Sequence, residues 1–137
     1  MAAHLGRASS GLDALDGLFE YYRDELQRSD FRAGCPVVAV AVEAGDPDKP
    51  EQSAAVRERA AAVFARWRQV IAELLTADGV SAARARELAV LVLSSFEGAL
   101  VIARAGRDIE PVEAVHAQLR SLIVTETPSA RTNREPQ

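Results

Sequence analysis

Cysteine and histidine, which often carry out catalysis or bind metals, are rare in this 137-residue sequence, with one cysteine and two histidines. Cys35 is the only cysteine, so no disulfide can form within the chain. It lies at the start of a predicted helix, where the helix dipole can lower the pKa of a thiol. Redox sensing is one interpretation; a small buried residue at the helix start is the simpler one. His4 and His116 stand in no metal-binding spacing, so no metal site is expected.

One carboxylate stands out because its surroundings in the sequence are apolar. Glu97 lies within the run 88–103, where a buried charge needs a partner or an opening to solvent. A ligand contact is one option, and a salt bridge to a nearby arginine such as Arg104 or Arg120 is the simpler one. The sequence offers no Ser–His–acid set, glycine-rich phosphate loop or paired carboxylates on one apolar face. We therefore predict no catalytic residues, no cofactor and no enzyme activity.

Composition and charge exclude several other classes of function. The chain is 48% hydrophobic with a net charge of −4, and its basic residues are dispersed. A nucleic-acid-binding surface needs clustered positive charge, so direct DNA binding by this chain is not expected. Residues 1–7 do not resemble a signal peptide, and the run 88–103 is judged too short and too polar to span a bilayer. These features predict one soluble, cytoplasmic domain without a membrane partner.

Apolar residues recur at spacings of three and four along most of the chain, which predicts an all-α five-helix bundle. The second segment, Cys35–Ala44, is rich in valine and could form a strand. A lone strand would have no partner, and Pro36 suits a first helical turn, so we predict a buried helix. The other helices are expected at about Gly11–Arg28, Glu51–Thr76, Ala82–Arg104 and Pro111–Ile123. The domain is placed at 11–124, between the remnant of a connecting helix at 1–10 and a disordered tail at 125–137.

The fourth helix is apolar on nearly all sides after Glu87, which predicts that both its own core and another subunit cover it. Small residues spaced by four would let a partner helix approach closely. The fifth helix carries a second row of mainly apolar residues along one face. Together, the two helices favour a two-fold homodimer with a four-helix interface. The alternative is the central helix of a monomer. The predicted interface comprises Ser94, Ser95, Gly98, Ala99, Ile102, Val112, Val115, His116, Leu119 and Ile123.

Most of the aromatic side chains fall on the faces that are predicted to be buried. Apolar ligand sites are lined by aromatic residues with a few polar groups. Either these side chains line a pocket for a small apolar ligand, with Phe64 and Trp67 the best candidates, or they are ordinary core residues. The candidate ligand-binding residues are Phe19, Tyr22, Phe31, Phe64, Trp67 and Phe96.

Four short segments together resemble a known family. They are Gly-Cys-Pro-Val at 34–37, Phe-Ala-Arg-Trp-Arg at 64–68, Phe-Glu-Gly-Ala-Leu at 96–100 followed by Ala-Arg-Ala at 103–105, and Gln-Leu-Arg at 118–120. Their order and spacing resemble the C-terminal domain of TetR-family regulators of the LmrA/YxaF-like branch, over about residues 12–123. In that family this domain forms the dimer and holds an effector pocket, while an N-terminal helix-turn-helix domain reads DNA. No such DNA-binding segment is recognised in this sequence.

The resemblance therefore implies the effector-sensing and dimerisation domain of a TetR-like repressor. A small apolar ligand is expected to release such a repressor from DNA. The alternative is a free-standing helical dimer that binds a hydrophobic metabolite or a partner protein. In either case DNA contact is expected only through a helix-turn-helix domain outside this chain.

Overall fold

The computed structural model describes residues 6–43, 48 and 50–128. These residues form five α-helices and no β-strand: α1 (Gly11–Arg28), α2 (Pro36–Glu43), α3 (Pro50–Ala77), α4 (Ala82–Gly106) and α5 (Glu110–Glu126). The all-α, five-helix prediction is confirmed. The valine-rich segment is a helix, because the rest of the described chain offers it no strand partner.

Side-chain caps fix where two of the helices begin. The Ser10 hydroxyl accepts a hydrogen bond of 3.0 Å from the backbone N–H of Asp13 at the start of α1. The Ser81 hydroxyl accepts one of 3.4 Å from the backbone N–H of Arg84 at the start of α4. Such bonds satisfy backbone donors that have no partner inside the helix. The predicted boundaries of α1 and α4 therefore agree with the structure to within about two residues.

Helix α4 is the centre of the fold, with α3 on one side, α5 on another, and α1 packed across all three. The side chains between them form one apolar core. The largest fully buried side chains are Leu18, Phe19, Leu26, Leu75, Leu88, Phe96, Val112 and Ile123. Because α1, α3, α4 and α5 all contribute to this list, burial of apolar surface is the main force that holds the four helices together.

A close approach between α1 and the end of α3 depends on Gly11. Its backbone N–H donates a 2.7 Å hydrogen bond to a carboxylate oxygen of Asp78. A Cβ atom at Gly11 would lie 2.6 Å from Cδ2 of Leu75, a side chain with no solvent exposure. Only glycine fits at this contact without a shift of its neighbours.

A polar cluster joins α1 to α5. The Nε2 atom of His116 lies 2.7 Å from Oδ1 of Asp16, and Nε of Arg120 lies 3.2 Å from its Oδ2. The imidazole also stacks on Phe19, with ring centroids 4.8 Å apart and planes at 7°. His116, predicted at the dimer interface, therefore faces α1 of its own chain, because the stripe of α5 that carries it packs inward.

Three expectations differ from the structure. No residue of α2 is fully buried, and Val42 is 80% exposed, so the prediction of a buried helix was wrong.

The last helix continues to Glu126, and the buried Thr127 hydroxyl donates a 2.7 Å bond to the carbonyl of Ile123, so this part of the proposed tail is ordered. Residues 6–10 form turns and a cap and are not helical. The rest of the proposed tail from 129 and of the N-terminal remnant, 1–5, lies outside the described residues.

Length and composition alone would allow one of the described helices, α4, to cross a membrane. The helix has 25 residues, whereas the prediction that it is too short to span a bilayer considered only the apolar run 88–103. Half of its most apolar window is buried inside the fold. Its apolar character is accordingly that of the central helix of a helical domain, with part of its surface left uncovered by this chain.

Candidate ligand cavity and association surface

A cavity of about 240 Å³ opens between α2 and the second half of α4. Its walls are mainly aliphatic, and α2 supplies one wall through side chains that the core does not cover. The residues lining it are Gly34, Cys35, Val38, Ala39, Val42, Glu43, Glu97, Leu100, Val101 and Arg104. The valine-rich helix thus faces this cavity and solvent, which explains why it is apolar without being buried.

Glu97 is the buried acidic residue among those that line this cavity. The residue is 9% exposed, and neither carboxylate oxygen has a well-formed hydrogen bond to a described residue. Burial raises the pKa of Glu97 above its ordinary value, and the neighbouring Cys35 thiol only partly offsets this. The predicted salt bridge to Arg104 or Arg120 was wrong: Arg120 pairs with Asp16, and no ion pair joins Glu97 to Arg104.

Two neutral groups surround that carboxylate. Cys35 is 7% exposed, and burial raises the pKa of its thiol to about 11, against a smaller lowering by backbone N–H groups at the start of α2. The expectation of a lowered thiol pKa was therefore wrong, because desolvation outweighs the helix start. Burial likewise raises the pKa of Tyr22 to about 12, with Cys35 and Glu97 contributing. Near neutral pH the thiol and the phenol both remain protonated.

Three of the predicted ligand-binding aromatics form one buried cluster. The ring of Phe96 meets Phe19 at 5.2 Å and Tyr22 at 5.1 Å, in both cases edge to face. All three side chains are less than 10% exposed. This cluster packs α1 against α4, and Tyr22 connects it to the surroundings of Glu97.

The remaining three aromatics lie elsewhere. Phe64 and Trp67 pack edge to face on α3 with centroids 5.7 Å apart, and Phe31 lies half-buried after α1. None of the six aromatic residues lines the α2–α4 cavity. Their role in ligand binding stays a prediction. Sequence reasoning treated Glu97 as a possible ligand contact but missed the small and aliphatic residues that surround it.

A second apolar surface runs along another face of α4 and over α5. On α4, Leu91 is 44% and Ile102 is 60% exposed, and Ser95 and Gly98 lie between them. An open groove of about 460 Å³ separates this stripe from α5. The residues lining the groove are Leu91, Ser95, Ala114, Val115, Gln118, Leu119 and Leu122. We call the stripe 91, 94, 95, 98 and 102 together with 115, 118 and 122 the α4–α5 surface.

Four of the predicted interface residues require a correction. Ala99, Val112, Leu119 and Ile123 are at most 4% exposed and belong to the core of their own chain. They have almost no surface to offer a partner, because they lie on the inward faces of α4 and α5; Leu119 only borders the floor of the groove. The proposed interface keeps the predicted residues on the outward face and gains Leu91, Gln118 and Leu122. Residues 91, 95, 98 and 102 are spaced by three or four, so they lie on one face of α4. This spacing would have identified Leu91 as part of the interface.

The structure also contains a larger groove of about 550 Å³ between α3 and the start of α4. Exposed polar and charged side chains, among them Arg68, Glu73 and Arg86, form much of its wall. In contrast to the α2–α4 cavity, no buried polar group without a partner lies among its lining residues. The described part of the chain holds no cluster of three or more residues that could bind a metal.

Comparison with known proteins places the chain in a family. The family model for the C-terminal domain of LmrA/YxaF-like transcriptional regulators matches residues 11–118, which include most of the five helices. The chain therefore belongs to this family of TetR-type C-terminal domains. This is a domain of transcriptional regulators and not an enzyme. The resemblance inferred from the four short segments is confirmed.

Two similar proteins come from Mycobacterium tuberculosis and are named as HTH-type transcriptional regulators: MT0206 of strain CDC 1551 / Oshkosh and Rv0196 of strain ATCC 25618 / H37Rv. Each is 50% identical to this chain over 128 residues. The match covers 93% of the chain and 66% of each relative, so the chain spans slightly less than two thirds of their length. No solved structure matches the chain.

Proposed function

We propose that this domain senses a small, largely apolar ligand and forms the dimer of a TetR-type repressor that acts in the cytoplasm. In this proposal a helix-turn-helix domain, of the kind named in the two relatives, contacts DNA, and ligand binding releases it. The family supports the assignment, since the chain belongs to the C-terminal domains of such regulators. The effector, the dimer and the link to DNA are the parts that experiment has to test.

The observation that carries the proposal is the exposed stripe on α4. Large apolar side chains at Leu91 and Ile102 stand in solvent, while Gly98 and Ser95 between them leave room for another helix. Contiguous apolar surface of this kind marks an interaction site. The same surface on a second copy, related by a two-fold axis, would form a four-helix interface from α4 and α5 of each subunit.

Helix α4 also suggests how ligand binding would be transmitted. Glu97, Leu100 and Val101 on α4 line the cavity, and Gly98 and Ile102 on the same two turns belong to the α4–α5 surface. A ligand that binds one position of α4 better than another shifts the population toward that position. The relative placement of the two subunits would then change, and with it the spacing of attached DNA-binding domains.

Sedimentation velocity at micromolar concentration tests the dimer, with a mass of twice 14.7 kDa expected. A single species of monomer mass would contradict the proposal. Calorimetric titration with a panel of small hydrophobic compounds tests the sensing role, and the fluorescence of Trp67, the only tryptophan, reports separately on a site near Phe64 and Trp67. Saturable binding heat is expected for some compounds, and neither heat nor a change in emission with any member of a broad panel would count against a ligand site.

A further inference from the structure

We propose that the α2–α4 cavity is specific for a small apolar amine, whose ammonium group pairs with the carboxylate of Glu97 while its apolar part packs between α2 and α4. This inference rests on the proposed sensing function and adds the chemical class of the ligand. It depends on three observations, which are the unpartnered carboxylate, the size of the cavity, and the charges that surround it.

The first observation is that the fold gives the carboxylate of Glu97 no strong hydrogen-bond donor. Both oxygens are buried without a well-formed hydrogen bond to a described residue, and the Cys35 thiol, which lowers the pKa of Glu97, is only a weak donor. A buried carboxylate without a donor is destabilising, so proteins retain one mainly where it has a function. Glu97 is one of the residues that line the α2–α4 cavity, and its carboxylate oxygens are shielded from solvent, so a ligand pairs with them once the side chain turns toward the cavity.

The size of the cavity is the second observation. An apolar cavity of about 150 Å³ takes up benzene in another protein. The cavity of about 240 Å³ beside Glu97 is larger by roughly the space that a short polar substituent needs. Its aliphatic walls, formed by Val38, Leu100 and Val101, suit a ring or a short branched chain. A compound with one apolar body and one polar end therefore fits the cavity.

The surrounding charges decide which polar end is favoured. Among the described side chains, the Tyr22 phenol from α1 and the Cys35 thiol interact with Glu97, and both are neutral near pH 7. Glu43 and Arg104, at exposed positions of the lining, carry opposite charges and together add no net charge to it. An ammonium group supplies up to three donors and the opposite charge. An alcohol supplies one donor and leaves the charge uncompensated, and an anion would be repelled.

Calorimetric titration of the full chain with benzylamine, benzyl alcohol and toluene tests this inference. We expect benzylamine to bind at least ten times more tightly than benzyl alcohol. Glu97→Gln should remove this preference without preventing toluene from binding. Glu43→Gln is the matched control, since it makes the same change of charge at an exposed residue of the same cavity, and it should keep most of the preference.

Proton release provides a second readout that a merely structural role of Glu97 would not affect. An ammonium ion beside Glu97 stabilises the charged carboxylate, so binding at about pH 5 should release protons. Titrations in two buffers with different enthalpies of ionisation measure this number. Release should be present in the unmutated chain and in Glu43→Gln, and absent in Glu97→Gln.

The outcomes separate this inference from the proposed function. If benzylamine and benzyl alcohol bind equally, or if Glu97→Gln keeps the preference, the amine inference is overturned while an apolar sensing site remains. If none of the three compounds binds, the inference is likewise overturned, and the compound panel and the sedimentation experiment decide on the proposed function. Circular dichroism checks that each variant is folded; should Glu97→Gln not fold, the comparison of the two ligands on the unmutated chain decides alone.

Discussion

The imidazole Nε2 of His116 lies 2.7 Å from a carboxylate oxygen of Asp16, although 100 residues separate them in the sequence. The same carboxylate accepts a bond of 3.2 Å from Nε of Arg120. One half-buried carboxylate of α1 thus serves two donors from neighbouring turns of α5. This connection holds the last helix of the domain in register with the first, and it leaves the outward side of α5 free for the α4–α5 surface.

Replacement of Asp16 by Asn should therefore destabilise the domain by about 1–2 kcal/mol, because the charged acceptor of both α5 side chains is lost. Urea unfolding at fixed protein concentration measures the difference. Asp24→Asn is the matched control on α1: Asp24 is exposed, its distance to the Arg23 guanidinium is 3.7 Å, and its removal should change stability by less than about 0.5 kcal/mol. Equal effects of the two substitutions would show that the α1–α5 connection contributes no special stability.

Two glycines of α1 should respond in opposite directions to substitution by alanine. Gly11→Ala should destabilise the domain by about 1–3 kcal/mol, because the added methyl group would overlap the buried Leu75. Gly17 has no atom within 4 Å of an added Cβ, so Gly17→Ala should stabilise the helix by about 0.5–1 kcal/mol. Thermal unfolding of both variants checks the pair. A stabilising effect of Gly11→Ala would mean that α1 and α3 are not in the close contact described above.

Stability should depend on pH through Glu97. Burial raises the pKa of Glu97 in the folded chain above its ordinary value of 4.5, so the folded state binds the proton more tightly than the unfolded state. This contribution is fully present below about pH 4.5 and is lost as pH rises through the raised pKa. Glu97→Gln lacks this loss, so its stability relative to the unmutated chain should increase across that range. Urea unfolding from pH 4 to pH 8 measures the difference, and a difference independent of pH would contradict the burial of the carboxylate.

Cys35 should be unreactive in the folded domain. With a pKa of about 11 and a largely buried thiol, it is almost entirely protonated at pH 8. Alkylation by iodoacetamide should therefore be roughly a hundred times slower in the native chain than in the chain unfolded by urea. Mass spectrometry of samples quenched over time gives both rates. Comparable rates would restore the redox interpretation of this residue.

The elements of the fold were predictable because their signals are local. Ser10 and Ser81 stand where caps are needed, Pro36 suits a first turn, and the apolar periods of α1 and α4 extend over many turns. These features involve residues close in sequence, so they do not depend on how the helices pack. The resemblance of the four short segments added the family, which the residue periods alone do not specify.

The candidate sites were less predictable because they depend on packing. The sequence showed that Glu97 needs a partner, but it did not show that Arg120 is occupied by Asp16 from the other end of the chain. The spacing of apolar residues along α4 shows which positions are apolar, but it does not show which face of the helix packs against the core of its own chain. Ala99 was therefore assigned to the interface, although it is buried, and Leu91 was omitted, although it is exposed.

The central claim is that a second copy of the chain covers the α4–α5 surface, and sedimentation velocity of two matched variants tests it most directly. Leu91 on α4 is 44% exposed and Val40 on α2 is 46% exposed, so glutamate at either position adds the same charge at similar exposure. We predict that Leu91→Glu sediments as a monomer at micromolar concentration, while Val40→Glu and the unmutated chain sediment as dimers. A Leu91→Glu variant that remains dimeric, or an unmutated chain that is monomeric, would contradict the claim.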